Sequence, residues 1–262
     1  MYFIFTDETN RKESRRVEFF LFGAVLVEVE KLPELSDGLR EIKKAFDIPE
    51  REAIKFSPTG ENRKADGESR IELQNSVIDL VLELNLTTIV SLVHNEIAKN
   101  TKTKELQDRT AASVFVKANE FLRQSDQCGV IIADNWPHDG GNKFFNKILS
   151  EGVTYSSHRN DSIERILLIA QSKIETCQLI SVIDVILGAL KHIINKQEPS
   201  SLQRDRFGKI CRTFWRRKVG EKYTIRDYGI NFRPSEVRSN VIKARYDELI
   251  SFLDSILNSQ PR

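Results

Sequence analysis

The sequence predicts an α/β domain of mixed α+β type, a sheet flanked by helices with a basic C-terminal extension. Three observations predict it. Two strand-like runs, "YFIFT" and "VEFFLFGAVLVEV", open the chain. Strand-like runs then alternate with segments of helical period. Finally, "GVIIAD" is short and continuously apolar, as expected where both faces of a sheet are covered.

Taken in order, "YFIFT" is aromatic and β-branched and ends in a polar cluster, so it is a first strand. "TNRKESRR" is a polar turn, and "VEFFLFGAVLVEV" a second strand long enough to be central, with Gly23 as a candidate bulge. "ELSDGLREIKKAF" has helical spacing in spite of Gly38. "AIKFS" is a short strand, and "SPTGENRKADGES" a loop full of breakers. Ser69 and Glu72 have capping-box spacing ahead of a helix whose period runs through Val77, Ile78, Val81 and Leu84. "LTTIVSLVH" is a strand by composition. "AASVFVKANEFLRQ" is a helix with Val114, Phe115, Ala118, Phe121 and Leu122 on one face. After "GVIIAD" come a turn, "NWPHDGG", a strand, "RILLIAQ", and a helix over Thr176–Asn195. The division expected is a domain over residues 1–198 and a basic extension over 199–262, the latter ending in the helix "RYDELISFLDSIL".

The totals exclude several classes. A chain of 262 residues, 40% hydrophobic and 30% charged, buries a full core without disulfides. Three scattered cysteines argue for a reducing compartment, and no CxxC or HxxxH spacing suggests zinc. The opening apolar run is too short for a signal peptide and ends in acids. The apolar Thr176–Asn195 stretch carries Gln178, Ser181, Asp184, Lys191 and His192, so it is a buried helix and not a membrane span. A cytoplasmic location follows as the expectation. Between Gln203 and Arg245, thirteen Lys/Arg face four Asp/Glu, a local balance of +9. The rest of the chain must carry −7 to reach the total of +2. A basic segment on an acidic body points to an anionic partner.

Three acids stand where acids are costly. Asp7 ends the first strand, Asp134 ends "VIIA", and Asp184 lies inside the apolar helix. Each alone has an ordinary explanation, a turn cap or a buried ion pair. If the two strands are parallel neighbours, however, Asp7 and Asp134 lie side by side at a carboxyl edge, where ligand sites gather. Ser181, Asp184 and Gly188 share one helical stripe that can reach them. Converging carboxylates repel one another, and Mg2+ or Mn2+ resolves this by taking oxygen ligands. Two such ions about 4 Å apart form the clamp used for phosphodiester displacement. Glu8 depends on where the strand ends. If the strand stops at Asp7, Glu8 joins the site; if it continues, the two side chains point to opposite faces.

"IFTDET", "AIKFS", "VIIAD" and "QLISVIDVILGAL", in that order, resemble the bacterial and phage family called domain of unknown function 3800. The resemblance covers roughly residues 1–235. It implies a ribonuclease H-like fold and a metal-dependent nuclease, with Asp7, Asp134 and Asp184 as metal ligands and Lys55 near a phosphate. Gln178, Asp184 and Gly188 are related to the family's helix motif with altered spacing. The family places an acid two residues before the lysine; here that position is Ala53, and Glu52 would face the other side of a strand.

The four histidines share no spacing; His192, two turns beyond Asp184, is a helix-end residue ahead of a proton shuttle. The stretch "RDRFGKICRTFWRRK" interleaves cations with aromatics. Arg212, Arg216, Arg217 and Lys218 suit phosphates and Trp215 suits bases, against the plainer alternative of a solvated helix face over an apolar side. The leading expectation is therefore a nuclease acting on RNA or DNA. One alternative is a non-catalytic nucleic-acid-binding module, favoured by Ala53. Another is a partner-binding subunit of a defence or mobile-element system that docks another protein on the Asp184 helix; a homodimer is also expected as a partner state.

Overall fold

The computed structural model describes residues 1–9, 18–57, 67–99, 101–134, 136, 141–156, 159–195, 201–234 and 237–259. The polar turn after the first strand, most of the "SPTGENRKADGES" loop, most of "NWPHDGG", His138 and His158 lie outside these residues.

The strands are β1 (Tyr2–Glu8), β2 (Phe19–Glu28), β3 (Thr87–His94), β4 (Gly129–Ala133), β5 (Val153–Ser156), β6 (Arg159–Asp161), β7 (Ile166–Gln171), β8 (Arg217–Val219), β9 (Lys222–Thr224) and β10 (Ile230–Arg233). The helices are α1 (Leu32–Ala45), α2 (Gly67–Glu83), α3 (Asn95–Ala98), α4 (Thr103–Gln124), α5 (Gly141–Glu151), α6 (Ser181–Ile194), α7 (Ser201–Thr213) and α8 (Asn240–Ser259). Six strands form one sheet in the order β10-β3-β2-β1-β4-β7. β1, β2 and β3 pair antiparallel, whereas β4 lies parallel to β1, β7 parallel to β4, and β10 parallel to β3. The mixed sheet flanked by helices expected from the sequence is thus the fold observed.

Alternation of side chains builds two cores. Phe5, Leu21, Val25, Val90 and Leu92 pack on one face against α1, α2, α6, α7 and α8. Ile4, Phe22, Ala24, Leu26 and Ile89 pack on the other against α4 and α5. Helices on both faces explain why β2 is buried through nine consecutive residues.

Some local expectations are corrected. "AIKFS" forms no strand: Ile54 is buried, but the segment crosses α6 as an irregular chain. Gly23 is no bulge, since it stays in register with Asp7 and Val90. It is glycine because a Cβ there would stand 2.7 Å from Leu187 of α6, so its absence lets that helix lie close on the sheet. Helix α2 begins at Gly67, ahead of the Ser69–Glu72 pair. The basic stretch from Arg204 is mostly α7, and Phe207, Ile210, Cys211 and Phe214 bury into the same core as α6. Helix α6 is itself covered by this chain, with Val182, Ile183, Val185, Ile186 and Leu190 all inaccessible, so its apolar surface is no docking face. Among the described residues, no helix is long and apolar enough to cross a membrane.

Candidate metal centre

β1 and β4 run parallel with Thr6 opposite Ala133. One step further, the Asp134 N–H donates to the Thr6 carbonyl at 3.0 Å, which carries the ladder on and sets Asp134 beside Asp7 at the carboxyl edge. Phe3 and Phe5 face α6, and Asp7, next in that alternation, faces it too. The Glu8 N–H donates to Asp7 Oδ1 at 2.7 Å. Asp134 Oδ1 accepts the Ile174 N–H at 3.2 Å.

Asp184 lies in the first turn of α6. Its Oδ2 accepts the Phe56 N–H at 2.7 Å. The Phe56 carbonyl is held from α2, by Arg70 Nε at 3.1 Å and Gln74 Nε2 at 3.1 Å. Phe56 itself lies on Gly188, where a Cβ would stand 2.1 Å from its ring. The glycine noted on the Asp184 stripe therefore seats the "AIKFS" segment against α6.

Glu8 takes the other face. β1 continues through Glu8, so its side chain points toward α4, where Gln107 Nε2 donates to Oε1 at 2.9 Å. Lys55 Nζ pairs with Glu175 Oε1 at 2.8 Å, and its field still reaches Asp184. Ala53 packs against the core, while Gln178 accepts from Lys43 and donates to the Glu50 carbonyl, apart from the acids.

The electrostatics are those of like charges held together. Burial raises the Asp7 carboxyl well above the usual range, and Asp184, Glu8 and Asp134 raise it further. Burial pushes Glu8 up to about 7; the Gln107 hydrogen bond opposes this and Asp134 adds to it. Burial also raises Asp184, against the Phe56 N–H and Lys55. All four acids are half-buried, so water and small ions reach them. Among the described residues none of the four has an ion-pair partner, and no three acids are already gathered closely enough to ligate one ion. The donor chemistry nevertheless fits a hard divalent cation: oxygen ligands of one sign, coupled to one another. The Ser181 hydroxyl, one turn before Asp184, is buried and among the described residues has no hydrogen-bond partner, a further oxygen left unsatisfied on that stripe.

The basic residues lie elsewhere. Trp215 meets Phe121 edge-on at 5.7 Å and Tyr228 at 5.0 Å, and Phe121 in turn meets Tyr2 at 5.5 Å. Tyr2 is at the opposite end of β1 from Asp7, about 17 Å away along the strand. Arg212, Arg216, Arg217 and Lys218 are exposed, with Arg216 over the Tyr223 ring at 4.6 Å and Arg217 donating to the Tyr228 hydroxyl at 2.7 Å. The structure sets Asp7, Asp134 and Asp184 within one another's field, puts Glu8 on the opposite face of β1, and leaves this basic group at the far end. His192 is exposed on α6 beside Gln203.

Solved structures similar to this chain include ribonucleases H. The ribonuclease H2 of Pyrococcus horikoshii OT3 is 14% identical with a TM-score of 0.44, covering 80% of this chain and 86% of that one. Bst-RNase HIII in complex with Mn2+ is 13% identical with a TM-score of 0.42, covering 81% of this chain and 62% of that one. A point mutant of Bst-RNase HIII is 10% identical with a TM-score of 0.38, covering 80% and 62%. The chain thus spans less than two thirds of the ribonuclease HIII chains. Similarity at these levels carries no conclusion about activity. No family model and no curated protein matches the chain, so kinship with the domain of unknown function 3800 family stays a resemblance.

Sequence reasoning missed Gln107 and the Phe56 backbone. Neither has a local signal: they lie 99 and 128 residues from the carboxylates they bind.

Proposed function

We propose that the chain is a divalent-metal-dependent nuclease hydrolysing phosphodiester bonds of RNA or DNA. The observation that supports it is the set of four coupled carboxylates at the carboxyl edge of β1 and β4, without an ion-pair partner among the described residues. Asp7, Asp134 and Asp184 would hold Mg2+ or Mn2+, drawing together as they do so. When bound, such an ion polarises a phosphoryl oxygen and makes water more acidic. Asp184 is oriented by the Phe56 N–H and Asp134 by the Ile174 N–H, so each offers its other oxygen. Glu8, held at Oε1 by Gln107 on the opposite face of β1, would act through its charge on Asp7. Lys55 would exchange Glu175 for a backbone phosphate. Arg212, Arg216, Arg217, Lys218 and Trp215 would hold the strand beyond the Tyr2 end of β1, at least a strand's length from the acids.

A second reading, a nucleic-acid-binding module without catalysis, is favoured by Ala53 and by the absence of three gathered acids among the described residues. Cleavage of labelled single-stranded, duplex and hybrid substrates with Mg2+ and Mn2+ separates the two. Metal-dependent cleavage lost in Asp7→Asn supports the nuclease. Salt-sensitive binding without cleavage supports the module.

A further inference from the structure

A cleft of about 640 Å3 opens on the α4 face, at the carboxyl ends of β3 and β10. It lies at the same edge of the sheet as the carboxylates but across the sheet from Asp7. Val93, Phe144 and Ile148 give it an apolar wall, while Arg109, Lys147 and Arg233 bring three cations and Asp108 one acid. Its volume is in the range of small-ligand sites, and carboxyl edges of parallel strands are where such ligands collect.

One contact ties α4 at the cleft to Glu8, and a second fixes the cleft wall. Gln107, which holds Glu8, sits between two lining positions of α4, and Asp108 accepts the Trp136 indole N–H at 3.3 Å. Trp136 stacks on Phe144 at 5.5 Å and 18°, so a fixed aromatic pair backs the wall. Arg109 lies along α4 beside Glu105, and Arg233 Nε donates to the Ser113 hydroxyl at 2.7 Å, which pins its guanidinium at the cleft.

We propose that this cleft is a nucleotide subsite. It takes one nucleoside monophosphate unit, with the base on the Phe144 wall and the phosphate among Arg109, Lys147 and Arg233. A flat body with polar edges and one anionic group fits an apolar wall under a cationic rim better than a bare anion does. The inference rests on the nuclease reading for its role as a strand subsite, but its binding chemistry needs no metal. A free nucleotide and a nucleotide within a strand offer the same chemistry.

The test is calorimetric titration of the four nucleoside 5′-monophosphates in metal-free, chelator-containing buffer, with wild type, Arg109→Glu/Lys147→Glu and Lys147→Arg. Arg109 and Lys147 are exposed, so the variants keep the fold. The proposal expects binding that weakens at least tenfold on charge reversal and survives Lys147→Arg. Displacement by a short oligonucleotide identifies the site as a strand subsite; undiminished binding in its presence identifies a free-nucleotide site. No binding at millimolar nucleotide, indifference to charge reversal, or equal competition by inorganic phosphate overturns the proposal. Asp7→Asn is the control that separates the two readings. Nucleotide binding that persists where no protein variant cleaves sinks the nuclease and spares the cleft. Cleavage without nucleotide binding does the reverse.

Discussion

The basic segment beyond the Tyr2 end of β1 and the acids at its Asp7 end treat charge in opposite ways. At the Tyr2 end, cations are exposed and rest on packed rings: Arg216 over Tyr223, Arg217 on the Tyr228 hydroxyl, Trp215 between Phe121 and Tyr228. At the Asp7 end, four acids are half-buried and repel one another. The first arrangement costs little, because water screens the charges and the rings pack regardless. The second is destabilising on its own, since burial disfavours the Asp7, Glu8 and Asp184 carboxylates and acidic neighbours add to the cost. A cation at the Asp7 end would relieve that cost, which is why function is sought there.

The largest expected effect comes from breaking the acidic end. Asp7→Asn should lower metal-dependent cleavage on the order of a hundredfold or more, because even outer contacts of metal ligands are worth 10- to 100-fold. Steady-state cleavage at saturating Mn2+ measures it. At the other end, Trp215→Ala removes a half-buried ring between two others and should cost about 2–3 kcal/mol in urea unfolding, near the low end for large aromatics, with cleavage of a short substrate unchanged.

The pH dependence of stability sharpens the contrast. The folded Glu8 pKa of about 7 lies above the ordinary glutamate value of 4.5, so the folded state holds that proton more tightly. Its contribution to stability is full below about 4.5 and is lost as pH rises through about 7. Metal-free protein should therefore lose stability between pH 5 and 8. Glu8→Gln, which keeps an oxygen for Gln107, should recover roughly 1–3 kcal/mol at pH 8. Denaturant midpoints at the two pH values decide this, and a wild type more stable at pH 8 would contradict it. The smallest effect belongs to the surface. Arg216→Ala/Arg217→Ala should change stability by less than about 0.5 kcal/mol while reducing the salt slope of nucleic-acid binding by about 2.

Much of this fold is legible in the sequence where a period is strong. β1, β2, β3, β4 and β7 stand out as apolar runs, α4 shows a helical face because it presents one side to a core, and α6 stands out as an apolar run because it is covered on nearly all sides. Short elements are not legible. β10 is four residues long and follows a basic stretch, so its place on the sheet edge depends on pairing with β3. The basic composition of α7 hides Phe207, Ile210 and Cys211, which decide its packing. "AIKFS" has strand composition, yet the α6 surface at Gly188 and the Asp184 carboxylate hold it instead. The electrostatic coupling of Asp7, Asp134 and Asp184 follows from strand ends and a helical stripe. The side taken by Glu8 does not, because it turns on whether β1 runs one residue further.

The most direct measurement is Mn2+ titration calorimetry of wild type and Asp184→Asn at pH 8, with a non-cleavable oligonucleotide present. The account predicts binding by the wild type, with proton release as the raised carboxyls ionise, and loss of that binding in the near-isosteric variant. Equal binding by both proteins, or none by the wild type at millimolar Mn2+, would contradict it.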